Sequence, residues 1–152
     1  MNAFVSVQEE DFDVGAEIAA LTADNDATGA VASFVGLVRN EGNALDAMTL
    51  EHYPGMTEKA IVAIVADARQ RWSLLGVRVI HRIGRLLPGD RIVLVVTSSK
   101  HRGDAFAACE FIMDYLKTQA PFWKKEETGQ GASWVEARDS DDEAAARWQD
   151  PA

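Results

Sequence analysis

The chain has 152 residues, 47% of them hydrophobic, which suits one folded domain with a substantial core. Its formal charge of -9 and isoelectric point near 4.7 argue against the broad positive surface of a nonspecific nucleic-acid-binding protein. No apolar run approaches the ~18 residues of a membrane span, and the N-terminus lacks the features of a signal peptide. We therefore expect a single cytoplasmic domain over residues 1–152.

Hydrophobic patterns predict alternating strands and helices in the first half of the chain. Segments rich in valine and aromatic residues favour strands, and apolar residues every three or four positions favour helices. Asp13 and Thr57 each precede a helical pattern and are expected to cap it. The predicted elements are a strand over 4–7, a helix over 14–21, strands over 29–38 and 47–53, and a helix from 57 to about 72.

In the second half of the chain, the sequence predicts a long helix between two pairs of strands. Its elements are strands over 77–83 and 91–98, a helix over 104–119, and strands over 122–128 and 133–138. Pro121 ends the long helix, because proline lacks an N–H group and restricts the residue before it. Ser140 and Glu143 form a capping-box pattern for a tail helix over about 140–148. Short loops and frequent turns favour a two-layer α+β fold with mostly antiparallel strands and helices on one face.

The long helix carries an apolar stripe that we expect to be buried. At about 100° per residue, one side collects Ala105, Phe106, Cys109, Ile112, Met113 and Leu116. Lys117 lies at the edge of this stripe, and the turn at Pro121 could bring Lys124 back beside it. Burial and a like charge would both lower the pKa of Lys117. The spacing alone also allows a solvated lysine that complements the helix dipole.

Cations gather between residues 100 and 126 of this acidic chain, which suggests a local anion site. Arg39 follows the strand over 29–38, while His101 and Arg102 lie at the start of the long helix. Arginine side chains and the free N–H groups of a helix N-terminus bind phosphate. The arginines could also be solvated loop residues, and His101 could be a helix-capping or packing residue. Lys125 and Glu126 alternate with Lys124 along a strand, so at least one should face away from it.

Other candidate groups are expected to be structural. Cys109, the one cysteine, lies on the apolar stripe and is expected to be a buried side chain rather than a nucleophile. His52 and His81 lie in strand-like segments, and with His101 they lack metal-ligand spacing, so we predict no metal and no cofactor. The glycine-rich loops match neither nucleotide-binding motif. The residues by themselves predict an anionic small-molecule site.

Several ordered segments carry a resemblance to a known family. They are LEHYPGMT (50–57), VIHRIG (79–84), PGD (88–90), SKHR (99–102) and DYLKTQAPFWKKE (114–126). With these motifs the chain resembles the large, catalytic subunit of molybdopterin synthase from about Phe34 to Trp148. The resemblance implies an α/β hammerhead fold with a small antiparallel subdomain. It also implies an enzyme that acts in molybdenum cofactor biosynthesis.

The reaction implied by the resemblance is sulfur transfer to cyclic pyranopterin monophosphate, which makes the dithiolene of molybdopterin. The sulfur would come from the C-terminal Gly-Gly thiocarboxylate of a small ubiquitin-like subunit. Two large subunits would form a homodimer with a small subunit at each end, a heterotetramer without nucleic acid or membrane. Backbone pairing with residues 122–128 is one means of holding the extended Gly-Gly tail.

The resemblance also assigns site residues. Lys117 would be the principal catalytic lysine, with Lys124 as its catalytic neighbour. Substrate-binding residues would be Leu37, Val38, Arg39, His101, Arg102, Lys117, Lys124, Lys125 and Glu126, with Arg138 as a further candidate. The family often has lysine at the position of Leu37, so a substrate contact there would use the Leu37 backbone. The loop over 40–45 is also shorter than the corresponding loop in members of that family. A phosphate-handling hydrolase and a non-catalytic partner-binding subunit remain alternatives.

Overall fold

A computed structural model describes residues 4–40, 44–135 and 139–149. Its helices are α1 (Val14–Thr22), α2 (Met56–Arg71), α3 (Arg102–Gln119) and α4 (Asp139–Ala146). Its strands are β1 (Val5–Gln8), β2 (Ala30–Leu37), β3 (Leu45–His52), β4 (Gly76–Arg82), β5 (Gly84–Leu86), β6 (Arg91–Ser99), β7 (Phe122–Thr128) and β8 (Gly131–Val135). The predicted α+β class is confirmed, and no described helix is long and apolar enough to cross a membrane.

The described strands form two four-stranded sheets. The first has the order β1-β4-β6-β2, with β1 parallel to β4 and the other pairs antiparallel. The second has the order β5-β3-β7-β8 and is antiparallel throughout. The short strand β5 was not predicted, because three residues are too few to show an alternating pattern. The mostly antiparallel arrangement agrees with the prediction.

Helices cover both faces of the first sheet, so the prediction of helices on one face is wrong. α2 and α3 pack on one face, over a core that includes Val79 and Val95. α1 packs on the opposite face, over Ile80, Leu94 and Val96. Side chains alternate between the two faces of a strand, so the continuous buried run of β6 needs a cover on each side.

The two predicted helix caps have different outcomes. Asp13 caps α1 as predicted, through a hydrogen bond that its carboxylate accepts from the first turn. Thr57 lies inside α2, and Gly55 is the N-cap residue instead. The Thr57 hydroxyl accepts a hydrogen bond from Tyr53 N and donates one to the Pro121 carbonyl, each at 2.9 Å. Thr57 is fully buried, so it ties the start of α2 to the connection between α3 and β7.

The buried surface of α3 is wider than the predicted stripe. Ala105, Cys109, Ile112, Met113 and Leu116 are buried as predicted, whereas Phe106 is 65% exposed. Phe111 is also fully buried, because the rings of Trp72 and Trp148 pack edge-on against it. Trp148 follows α4, which packs along α3. α4 begins at Asp139, so Ser140 lies within the helix rather than at its cap.

Candidate functional site

A cleft of about 580 Å³ lies between the end of β2, the last turn of α3 and one face of β7. Predicted site residues on its wall are Leu37, Val38, Arg39, Lys117, Lys124 and Glu126. The two lysines come from different elements, since α3 ends before Pro121 and the chain reverses into β7. The structure thus brings both predicted catalytic lysines to one cleft.

The alternation along β7 decides which of its side chains reach the cleft. Phe122, Lys124 and Glu126 occupy alternate positions and all line it. Lys125 points to the other face of the sheet, where its Nζ lies 5.7 Å from the centre of the Trp134 ring. The expectation that one of the three charged neighbours faces away from Lys124 is therefore confirmed, and Lys125 is that residue.

Lys117 lies at the solvent-exposed edge of the apolar stripe of α3. Its side chain is exposed, although Met113 and Leu116 on the adjacent turn are buried. The partial desolvation of its amine stays a prediction.

The end of β2 is held in place by the turn that precedes β6. Val38 N donates to the Asp90 carbonyl at 2.9 Å, and the Val38 carbonyl accepts from Gly89 N at 2.8 Å. Both backbone groups of Val38 are thus engaged within the chain, and its buried side chain packs beneath the cleft. Leu37 and Arg39 are exposed on either side of Val38. Residues 41–43 of the shorter loop lie outside the described part of the chain.

His101 and Arg102 lie at the opposite end of α3 from Lys117. His101 is the N-cap residue, without a side-chain capping hydrogen bond, and Arg102 is the first residue of the helix. About 22 Å of helix separates Arg102 from Lys117, at a rise of 1.5 Å per residue. Both residues are exposed, and neither lines the cleft of its own chain. Arg138 lies outside the described residues.

His81 lines the cleft, although the sequence predicted only a structural role for it. Its ring stacks on Phe122, with centroids 3.8 Å apart and planes inclined by 19°. Burial lowers the pKa of His81 to about 4, and the positive charge of Lys117 acts in the same direction. The imidazole is therefore neutral at pH 7. The sequence did contain a signal for this position of His81. It is a polar residue on the same strand face as Val77 and Val79, which are buried.

Cys109 and the depression beside α1 add no further reactive group. Burial raises the pKa of Cys109 to about 11, and its Sγ lies 3.8 Å from the Val95 carbonyl oxygen. The expectation of a buried, unreactive thiol is confirmed. In the depression at the start of α1, Asp11 and Arg91 pair with each other at 2.5 Å. Among the described residues no cluster of histidine, cysteine or acidic side chains could hold a metal ion.

Comparisons with known proteins agree with the fold and with the motifs. The model of the family "MoaE protein" matches residues 7–119. A molybdopterin synthase catalytic subunit from Ralstonia nicotianae is 64% identical over 146 residues, which are 95% of this chain and 83% of that protein.

Two solved structures share the fold. The molybdopterin biosynthesis MoaE protein from Burkholderia ambifaria has a TM-score of 0.84 at 58% identity and covers 98% of this chain and 99% of its own. The second is a complex of subunits 1 and 2 of molybdopterin-converting factor from Helicobacter pylori, with a TM-score of 0.73 at 24% identity over 90% of this chain and 92% of that one. This chain therefore belongs to the MoaE family, the catalytic subunits of molybdopterin synthase.

Proposed function

We propose that the chain transfers sulfur from the C-terminal thiocarboxylate of a small ubiquitin-like subunit to cyclic pyranopterin monophosphate. Two such transfers make the dithiolene of molybdopterin, in the cytoplasm. The observation that carries the proposal is the presence of Lys117 and Lys124 on the wall of one cleft, beside Arg39. Dithiolene formation assayed with a thiocarboxylated partner separates this activity from a hydrolase or a partner-binding scaffold.

The cleft offers the groups that this chemistry needs. The thiocarboxylate is an anion whose sulfur bonds to a substrate carbon, and the oxygen that it displaces must receive a proton. Water then cleaves the acyl–sulfur bond, which leaves the sulfur on the substrate and a carboxylate on the partner. A lysine ammonium can hold the anion and donate the proton, which is the role we assign to Lys117. Lys124 adds positive charge, and Arg39 binds the cyclic phosphate. The partner's tail would fill the cleft, so we expect Lys117 to be more desolvated in the complex than in the free chain.

The backbone of β7 offers no open edge to the partner's tail, contrary to the means suggested by the sequence. β7 is hydrogen-bonded to β3 on one side and to β8 on the other. In the described part of the chain, β2 is the edge strand of the first sheet and borders the cleft. We propose β2 as the strand that receives the extended tail, through backbone hydrogen bonds of the kind used in β-strand addition.

A second copy of the chain completes the proposed site. His101 and Arg102 belong to the substrate-binding set implied by the resemblance, yet one chain keeps them at the far end of α3. A symmetric dimer can bring the start of one α3 to the cleft of the other chain. The proposed assembly is a homodimer of catalytic subunits with one small subunit bound at each cleft.

The homodimer leads to a direct prediction about size. We expect the chain without its partner to sediment as a dimer at micromolar concentration, since each cleft needs residues of a second copy. Sedimentation velocity across a dilution series measures this. A species of monomer mass throughout the series would contradict the shared site.

The assignment of phosphate binding to Arg39 and Arg102 is tested by their replacement. Arg39→Ala and Arg102→Ala should each weaken binding of the pterin by about 1.5–3 kcal/mol, the value of a hydrogen bond to a charged group. Titration calorimetry with the pterin measures the change. Arg69→Ala is the matched control, because Arg69 is an exposed arginine in the last turn of α2 and does not line the cleft. Unchanged affinity in both test variants would refute the assignment.

A further inference from the structure

The side chains that line the cleft include both hydrogen-bond donors and acceptors. Arg39, Lys117 and Lys124 present N–H groups, which suit the anionic parts of the proposed reactants. A pterin ring also carries N–H and amino groups, which need acceptors when they leave water. Among the described residues that line the cleft, the side-chain acceptors are the carboxylates of Glu126 and Asp141 and the imidazole of His81.

The hydrogen bond of His81 fixes its tautomer. Nδ1 lies 2.9 Å from the Arg82 carbonyl oxygen, which can only accept, so Nδ1 carries the proton. The neutral ring therefore has a lone pair at Nε2. Every buried side-chain nitrogen or oxygen among the described residues has a hydrogen-bond partner, and the hydrogen bond of this ring is made by Nδ1. Nε2 is therefore not sealed within the core, and His81 lines the cleft.

The imidazole is held rigidly from two sides. Phe122 stacks on one face of the ring at 3.8 Å and fixes its plane. Arg82, whose carbonyl accepts the hydrogen bond from Nδ1, is itself anchored by side-chain hydrogen bonds to the carbonyls of Glu9 and Arg91, each at 3.0 Å. An acceptor fixed in this way can select among ligands, because little ordering is needed when the ligand binds.

We propose that His81 is a specificity-determining residue that accepts, at Nε2, a hydrogen bond from an N–H group of the pterin ring. The inference rests on the proposed function, since the pterin is the substrate named there. The cationic side chains and the neutral imidazole would bind different parts of the reactants. Cationic side chains hold the phosphate and the thiocarboxylate, whereas the neutral lone pair of His81 repels anions and selects the donor edge of the ring.

Three variants separate the acceptor from the packing of the ring. His81→Phe keeps a flat ring against Phe122 but removes both nitrogens. His81→Gln returns a side-chain oxygen that can reach the position of Nε2. His52→Phe is the matched control, because His52 pairs with Phe122 across the β3–β7 ladder but does not line the cleft.

Affinity for the pterin and for inorganic phosphate is measured by titration, and folding by thermal unfolding. We expect His81→Phe to weaken pterin binding roughly tenfold, with phosphate binding unchanged. His81→Gln should recover part of the loss, and His52→Phe should bind like the wild type. Wild-type pterin affinity in a folded His81→Phe, or equal losses in His81→Phe and His81→Gln, would overturn the proposal.

A measurement on the unaltered protein covers the case in which His81→Phe does not fold. The nitrogen-15 resonance of His81 Nε2 should move when the pterin binds and stay in place when inorganic phosphate binds. A resonance that the pterin leaves unmoved would overturn the proposal. If the wild type neither binds nor converts the pterin, the proposed function fails. If it converts the pterin and His81 proves indifferent, the present inference alone fails.

Discussion

Lys117→Ala should abolish dithiolene formation while leaving the fold intact. Lys117 is exposed at the end of α3, so its removal opens no cavity in the core. It lines the cleft, where we assign it the proton donation and the binding of the thiocarboxylate. Loss of a positioned proton donor lowers the rate by about 10²–10⁴-fold. Single-turnover conversion of the pterin, with thiocarboxylated partner in excess, measures the effect.

Variants of two other lysines provide rates with which the Lys117→Ala rate can be compared. Lys124→Ala should lower the rate less than Lys117→Ala, because its proposed role is electrostatic. Lys125→Ala should convert the pterin at nearly the wild-type rate, since Lys125 lies on the same strand but faces Trp134 on the other side of the sheet. If Lys117→Ala converts the pterin at the wild-type rate, Lys117 is only a solvated lysine at a helix end.

A mixture of two impaired chains should recover activity that neither has alone. We expect this for Lys117→Ala mixed with Arg102→Ala, because α3 would contribute its end to one site and its start to the other. In a mixed dimer, one cleft lacks both side chains and the other has both. Random exchange makes about half of the dimers mixed, so about a quarter of the sites should be intact. The rate is measured at a pterin concentration below the dissociation constant of Arg102→Ala.

The matched control is a mixture of Lys117→Ala with Arg39→Ala. These two residues line the cleft of the same chain, so every cleft in a mixed dimer lacks one of them. No activity should return beyond that of the separate variants. Recovery in both mixtures, or in neither, would show that Arg102 does not act across a dimer.

The sequence was most informative where local pattern and motif agreed. The periodicity of α3, the stop at Pro121 and the alternation along β7 together predicted that Lys117 and Lys124 could share a pocket. Motif resemblance added the family and the chemistry. These features depend on residues that are close in sequence, so they can be inferred from the amino-acid sequence alone.

The features that the sequence did not predict depend on contacts between distant segments. Phe106 falls on the same predicted stripe as Cys109, yet whether it is covered depends on which elements pack against α3. The position of His81 depends on its contact with Phe122, which belongs to a different sheet. The hydroxyl of Thr57 resembles a helix cap by type, but its partner is the carbonyl of Pro121. The secondary-structure propensity of a residue carries no information about which distant residues it contacts.

The corner between α3 and β7 should tolerate little change in chain length. One residue inserted between Pro121 and Lys124 would move Lys124 to the outer face of the sheet and Lys125 toward the cleft, because strand side chains alternate. The hydrogen bond from Thr57 to the Pro121 carbonyl fixes the start of this segment, so a slip cannot readily be absorbed there. The exposed turn at Gly129 and Gln130 has no such constraint. Insertions and deletions among relatives should therefore occur at that turn, while the number of residues in the corner between α3 and β7 stays constant.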